Sequence, residues 1–118
     1  SQGADVVFAA AGGCGLGALQ AAKEQGKWGI GVDNDQAFLG SHILTSATKK
    51  VDLAVFTTIE QVQEDSFKGG TDGIFTVKNG GVGFGKVSTK APKRKALIAK
   101  LTAVSRQIAA GKIKIPSK

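Results

Sequence analysis

Apolar residues occur along the chain in short runs that predict alternating strands and helices. Asp5–Ala11 is a continuous run of small, β-branched and aromatic residues, which is typical of a strand buried in a parallel sheet. Leu16–Gln25 has apolar residues at helical spacing and stops before Gly26, a residue favoured just beyond helix ends. Trp28–Val32 predicts a second strand. Together these segments predict a βαβ unit with a right-handed crossover.

The middle of the chain predicts a helix followed by a hairpin. Lys50–Asp65 places its apolar residues on one face, as an amphipathic helix does. Gly73–Val77 and Gly81–Val87 are β-like runs that flank Lys-Asn-Gly, and Asn-Gly between two such runs is a strong hairpin signal. The apolar face of the predicted helix comprises Val51, Ala54, Val55, Ile59 and Val62.

A last helix is predicted to begin at Pro92 and to end at Ala110, before Gly111. An extended tail, Lys112–Lys118, follows it. The elements define an α/β protein, but the pattern shows only two obvious parallel strands. The sequence therefore predicts part of a larger architecture, or a chain that needs a partner. The predicted buried stripe of the last helix is Leu97, Ile98, Leu101, Val104 and Ile108.

The length of the chain and its first residues also indicate part of a larger architecture. A chain of 118 residues, 42% of them hydrophobic, supplies one modest core. The sequence starts Ser-Gln-Gly-Ala-Asp and enters a strand at once without an initiator Met, so we expect residues to be missing upstream. No apolar run approaches the length of a membrane span, and the single cysteine, Cys14, excludes an intrachain disulfide.

Charge is distributed unevenly. The net charge is +7, yet residues 86–118 hold eight Lys and two Arg and no acidic residue. A solvated basic helix and tail would explain this, and so would binding to nucleic acid or to an anionic membrane surface. No aromatic residues alternate with the charges, so we predict no specific nucleic-acid partner.

A glycine-rich turn is the first candidate binding feature. Gly12–Gly15 follows the first predicted strand and precedes a helix, where exposed N–H groups and absent side chains let a ligand approach. Gly13, Gly15 and Ala18 match a dinucleotide fingerprint, and Asp33 stands twenty residues after Gly13, where a ribose-binding acid belongs. A Rossmann-like domain of an oxidoreductase is therefore one alternative; glycines that only permit tight packing are another.

Other polar and aromatic residues near the predicted strand ends have two interpretations each. Asp33 can accept two hydrogen bonds from a cis-diol or cap a turn, and Asp35 is the better cap of the two. Lys49 precedes a helix N-terminus, where a cation opposes the helix dipole unless a ligand or an acid holds it. Phe8 is a core residue or stacks on a flat ligand. His42 has no second ligand at metal-binding spacing, so no metal site is predicted.

Five segments together carry a family resemblance: GADVVFAAAGGCGLGALQAA, WGIGVDNDQ, ILTSATKKVDLAV, FKGG and VKNGGVGFGKV. In this order they resemble the basic membrane protein family of ABC-transporter substrate-binding lipoproteins, which includes purine nucleoside receptors. The resemblance implies a two-lobed α/β clamp of the type I periplasmic-binding-protein class. Residues 1–118 would form its C-terminal part, with a C-terminal β-hairpin and helix and without the N-terminal lobe.

The resemblance also implies a function and a set of ligand-binding residues. It implies capture of a purine nucleoside or similar flat ligand for an ABC importer permease, with no reaction, cofactor or metal. The full-length protein would be lipid-anchored in the periplasm or at the cell surface, and its site would be completed by the missing lobe or another chain. Cys14 departs from the Thr or Ser expected there. The implied ligand-binding residues are Phe8 (base packing), Gly12 and Gly13 (glycine turn), Asp33 (ribose hydroxyls), Asp35 (its fallback) and Lys49.

Overall fold

The computed structural model describes Gly3–Pro116, so the last two residues of the predicted tail, Ser117 and Lys118, lie outside the described residues. Two short 3₁₀ helices, Gly12–Cys14 and Gln36–Leu39, accompany the regular elements. These are β1 (Val6–Phe8), α1 (Gly15–Glu24), β2 (Trp28–Asp33), β3 (Ile43–Lys49), α2 (Val51–Gln63), β4 (Val82–Phe84) and α3 (Arg94–Ala109).

The strands form one mixed sheet in the order β1-β2-β3-β4. β1, β2 and β3 are parallel, and β4 runs antiparallel to β3. The predicted α/β class and the βαβ unit are confirmed. The expectation of only two parallel strands is wrong, because β3 is a third. The connection from β2 to β3 contains a short 3₁₀ helix where a parallel crossover usually has a full α-helix.

The core lies between α1 and the sheet. Leu19 and Ala22 of α1 are buried together with Ile43 of β3. Gly29 in β2 makes this packing possible, since a Cβ there would stand 2.6 Å from Leu19 Cδ2 and 3.2 Å from Ile43 Cδ1. A glycine inside a strand commonly marks such a close approach.

The predicted hairpin is wrong. Gly73–Val77 forms no strand, and β4 pairs with β3. The side chain of Asn79 organises the preceding segment as a loop: its Oδ1 accepts from the Thr76 amide at 2.7 Å and its Nδ2 donates to the Ile74 carbonyl at 2.9 Å. Asn side chains compete with a strand ladder in this way when they bond to nearby backbone.

The two later helices form within two residues of their predicted bounds, but the apolar stripe of α2 is mostly exposed and that of α3 is only half-buried. No residue of α2 or α3 is fully buried. On α2, Val55 is 54% and Ile59 52% exposed; of the predicted apolar face only Ala54 is half-buried, beside Leu53. The stripe of α3 covers one sheet face incompletely, and its Val104 is exposed.

The molecule therefore has more surface than a self-contained protein of its size. Its accessible area is 8768 Å², whereas a compact 12.0 kDa monomer exposes about 6,000 Å². The radius of gyration is 16.8 Å, against about 13.5 Å for a compact domain of this length. None of the helices within Gly3–Pro116 combines the length and the apolar character that crossing a membrane requires.

Candidate functional site

The carboxyl ends of β1, β2 and β3 meet at one edge of the sheet because these strands are parallel. Asp33 ends β2 and Lys49 ends β3, and the backbone register places Asp33 opposite Thr48, the neighbour of Lys49. The Lys49 Nζ lies 2.9 Å from Asp33 Oδ1. Two residues that the sequence indicated separately thus form one ion pair at the edge where open α/β sheets bind ligands.

Asp33 adopts an unusual backbone conformation. Its φ is +68°, in the left-handed region that Asp and Asn tolerate better than other residues with a Cβ. The Asn34 amide donates to the Val32 carbonyl at 2.9 Å, so the chain turns sharply directly after β2. The turn holds the carboxylate at the sheet edge.

The ion pair is open to solvent. The side chains of Lys49 and Asp33 are 64% and 48% exposed, and exposed pairs contribute about 0 to 1 kcal/mol to stability. No backbone amide within Gly3–Pro116 donates a hydrogen bond to the Asp33 carboxylate. Its oxygens are therefore available to hydroxyl groups of a ligand, and Lys49 offers further donors beside them.

A cleft of about 500 Å³ adjoins this pair. Ala10, just beyond β1, lines it together with Asp33 and Lys49 at the strand ends, and α3 lines the other side, mainly with apolar side chains. Thr48 and Ser105 add hydroxyl groups to the lining and were not singled out from the sequence. Ser105 could have been singled out from the sequence, because it is a polar residue within the apolar stripe of α3.

The glycines of the turn differ in their surroundings. Gly12, with a φ of +54°, and Gly13 have no heavy atom within 4 Å of an added Cβ, so their backbone faces open space. Gly15 differs, because a Cβ there would stand 2.8 Å from the Ala9 carbonyl oxygen. No side chain caps the 3₁₀ helix at this end, which leaves its first N–H groups for a ligand or water, whereas the Gly15 amide at the start of α1 already donates to the Gly12 carbonyl.

Phe8 and Asp35 lie outside the cleft lining. Phe8 ends β1 at the same carboxyl edge of the sheet and is 56% exposed. The interpretation of Phe8 as a core residue is therefore wrong. Asp35 has a structural role: its Oδ1 accepts from the Ala37 amide at 3.3 Å and its Oδ2 from the Lys86 amide at 3.1 Å. The cap predicted for Asp35 is confirmed, and its part in ligand binding stays a prediction.

Other reactive residues do not assemble into a site. Cys14 is exposed. His42 lies at the amino end of β3, away from the ion pair, and both of its ring nitrogens are buried without a hydrogen-bond partner. Among the described residues no three His, Cys, Asp or Glu side chains are grouped as metal ligands would be.

The topology does not support the dinucleotide alternative. A Rossmann site lies at a switch point, where strands flank the first strand on both sides. In the part of the chain that the structure describes, β1 pairs only with β2 and is an edge strand. The strand after β3 joins the far side of the sheet and is antiparallel.

An open α/β sheet with a polar pair beside a cleft at its carboxyl edge is an arrangement suited to binding a small ligand. A sequence profile described as "ABC transporter substrate-binding protein PnrA-like" matches residues 1–118, and the chain belongs to this family. The chain is 35% identical to the ABC transporter nucleoside-binding protein BmpA of Lactococcus lactis subsp. cremoris (strain MG1363), over 98% of this chain and 37% of that protein. It is 33% identical to basic membrane protein D of Borreliella burgdorferi (strain JD1), over 97% of this chain and 35% of that protein.

Solved structures agree on the fold. A transcriptional activator of the comK gene from Bacillus halodurans superposes with a TM-score of 0.83 at 28% identity, over 96% of this chain and 39% of that one. A solute-binding protein of an ABC transporter system from Aeropyrum pernix K1 superposes with a TM-score of 0.74 at 24% identity, over 99% and 41%. The family resemblance and the periplasmic-binding-protein-like fold are confirmed, and the chain spans little more than a third of the relatives it matches.

Proposed function

We propose that this chain forms the C-terminal part of an ABC-importer substrate-binding protein and contributes Asp33 and Lys49 to a purine nucleoside site. The observation that carries the proposal is the solvent-open ion pair at the carboxyl edge of the sheet, beside a cleft of about 500 Å³. The nucleoside-binding name of the Lactococcus lactis relative supports the choice of ligand. Proteins of this family bind and deliver small molecules and are not enzymes.

The chemistry of each residue fits a nucleoside. The Asp33 carboxylate accepts hydrogen bonds from the two ribose hydroxyls, and Lys49 donates to the ligand beside it. Phe8 packs on the flat base. Gly12 and Gly13 let the ligand approach the backbone. Asp35 is the fallback acid in this proposal, although its oxygens accept from backbone amides in the structure.

The rest of the site is proposed to come from an N-terminal lobe or another chain. Two surfaces support this proposal: the free edge of β1 and the exposed apolar face of α2. Closure of two lobes around the ligand would then complete the binding site. The full-length protein would act outside the cytoplasmic membrane, held by a lipid anchor, and would deliver its ligand to an importer permease.

The test compares two Asp→Asn substitutions at similar backbone conformations. Asp33→Asn removes the charge while keeping a residue that tolerates positive φ. Asp65→Asn does the same at a φ of +53°, at an exposed position outside the cleft. Charge-assisted hydrogen bonds contribute about 1.5 to 3 kcal/mol, so Asp33→Asn should weaken adenosine binding about 10- to 150-fold, and Asp65→Asn should leave it unchanged.

The ligand panel is adenosine, guanosine, inosine, riboflavin and NAD, titrated by calorimetry and by NMR shift mapping. The chain alone should bind weakly, because it offers one side of the site. Shifts should be confined to Phe8, the glycine turn, Asp33 and Lys49. A preference for NAD over every nucleoside, or equal effects of the two Asn substitutions, would contradict the proposal.

A further inference from the structure

A strongly basic surface lies at the end of the sheet opposite to the candidate ligand site. Residues 1–85 carry six Lys and nine acidic residues, whereas residues 86–118 carry ten Lys or Arg and no acid. Half of those ten lie within one short segment. Five exposed side chains form a surface that we call the basic pole: Lys90, Lys93, Arg94, Lys95 and Lys100.

The sheet topology fixes where the basic pole is. After β4 the chain continues beside β3 toward its amino end: the Ser88 amide donates to the Leu44 carbonyl and the Ser88 hydroxyl to the Ser41 carbonyl, both at 2.8 Å. The basic pole follows directly, around the start of α3. It therefore lies at the amino ends of the parallel strands, about 20 Å from their carboxyl ends.

The five cations are not neutralised within the protein. Neither ion pair among the described residues involves the basic pole, since one joins Lys27 to Asp5 and the other Lys49 to Asp33. Arg94 uses its Nε to donate to the Val87 carbonyl at 3.0 Å, which orients the guanidinium without neutralising its charge. Like charges held this close favour an anionic partner.

An apolar groove adjoins the same cations. Lys93 and Lys100 stand beside a groove of about 380 Å³ between α3 and the sheet. Val6, Trp28 and Leu44 line it from the strands. Trp beside cations and apolar side chains is the composition of surfaces that sit at a membrane interface.

We propose that the basic pole and this groove dock on an anionic phospholipid surface. Charge complementarity favours phospholipid headgroups, and the groove favours lipid over nucleic acid, since a phosphate backbone offers no apolar group to fill it. The proposal rests on the proposed function in that it places the protein beside a membrane. In this orientation the Asp33–Lys49 edge points away from the lipid and stays open to solvent.

The test measures co-sedimentation of the 118-residue chain with vesicles of phosphatidylglycerol and phosphatidylcholine, against vesicles of phosphatidylcholine alone. Each cation near an anionic membrane contributes about fivefold to binding. The triple substitution Lys90→Gln, Lys95→Gln, Lys100→Gln should weaken binding about a hundredfold. The matched control, Lys23→Gln, Lys68→Gln, Lys78→Gln, removes the same charge from exposed positions elsewhere and should have a much smaller effect.

Three results would overturn the proposal: equal loss in both triple variants, equal binding to the two kinds of vesicle, or retention on duplex DNA with no vesicle binding. Bound protein should be released at about 1 M salt, where the screening length is about 3 Å. Circular dichroism confirms that each variant is folded. Nucleoside titration of the same variants reports on the proposed function separately, because neither triple substitution touches the ion pair or its cleft.

Discussion

At the scale of single residues, ion pairs join neighbouring strands at both ends of the sheet. The Asp33–Lys49 pair joins β2 and β3 at the carboxyl edge, and Lys27 Nζ lies 2.7 Å from Asp5 Oδ1 at the amino ends of β1 and β2. The second pair lies outside the cleft lining. It therefore offers a test of the electrostatics that is independent of ligand binding.

The hydrogen bond and the charge of Lys27 hold the pKa of Asp5 below its ordinary value of 3.8. A carboxyl whose pKa is lowered by folding stabilises the protein above its unfolded-state pKa, and this contribution is lost as the pH falls through the folded-state pKa. Lys27→Gln should therefore raise the pKa of Asp5, as measured by NMR titration of its carboxyl carbon. Lys23→Gln, the control, should not; an unchanged pKa in Lys27→Gln would show that the pair does not form in solution.

At the scale of elements, local chemistry was predictable from the sequence, whereas strand pairing was not. The ends of α1 and α3 follow from Gly26 and Gly111, both of which have positive φ, whereas α3 begins at Arg94, two residues after the predicted Pro92. The hairpin prediction failed because Asn79 satisfies backbone groups of its own loop, and a local turn signal cannot show that β3 is the better partner for β4. Asp33 and Lys49 were each identifiable, but their pairing depends on the long-range register of β2 and β3.

Helix α1 offers a prediction in which two glycines of the same helix behave oppositely. Gly15→Ala places a Cβ 2.8 Å from the Ala9 carbonyl oxygen, and such overpacking costs about 1 to 3 kcal/mol. Gly17→Ala meets nothing within 4 Å and should stabilise the helix by about 0.5 to 1 kcal/mol. Urea unfolding measures both changes; destabilisation by both variants would mean that the turn is tighter than the structure shows.

At the scale of the whole molecule, the apolar periodicity of α2 was recognised correctly from the sequence, but the periodicity did not show where the apolar face would point. The helix faces its own chain with half-buried Leu53, Ala54 and Thr57 and turns its strongest apolar face outward. Together with the free edge of β1, this face contributes to an accessible area of 8768 Å², which is nearly half again the value for a compact monomer. Sequence periodicity shows that a face will be buried; it does not show which chain will bury it.

An outward face of this kind should make the isolated chain self-associate. Val51, Val55, Ile59 and Val62 are each more than half exposed and recur at spacings of three and four residues, so they form one continuous stripe. Monomeric proteins rarely expose contiguous apolar patches beyond a few hundred Å², and contact with a second copy would remove such a stripe from water. Sedimentation velocity should therefore show a mass that rises with concentration.

Substitution on the two sides of α2 tests the cause. Val55→Lys with Ile59→Lys should leave the chain monomeric, because each lysine brings a charge that must be desolvated in any contact. Glu60→Lys changes the net charge by the same amount at an exposed position outside the stripe and should leave the self-association in place. If Glu60→Lys also makes the chain monomeric, then the net charge and not the apolar stripe controls self-association. A chain that is monomeric without any substitution would mean that α2 folds its stripe inward in solution, which would remove this face as the proposed contact with the rest of the protein.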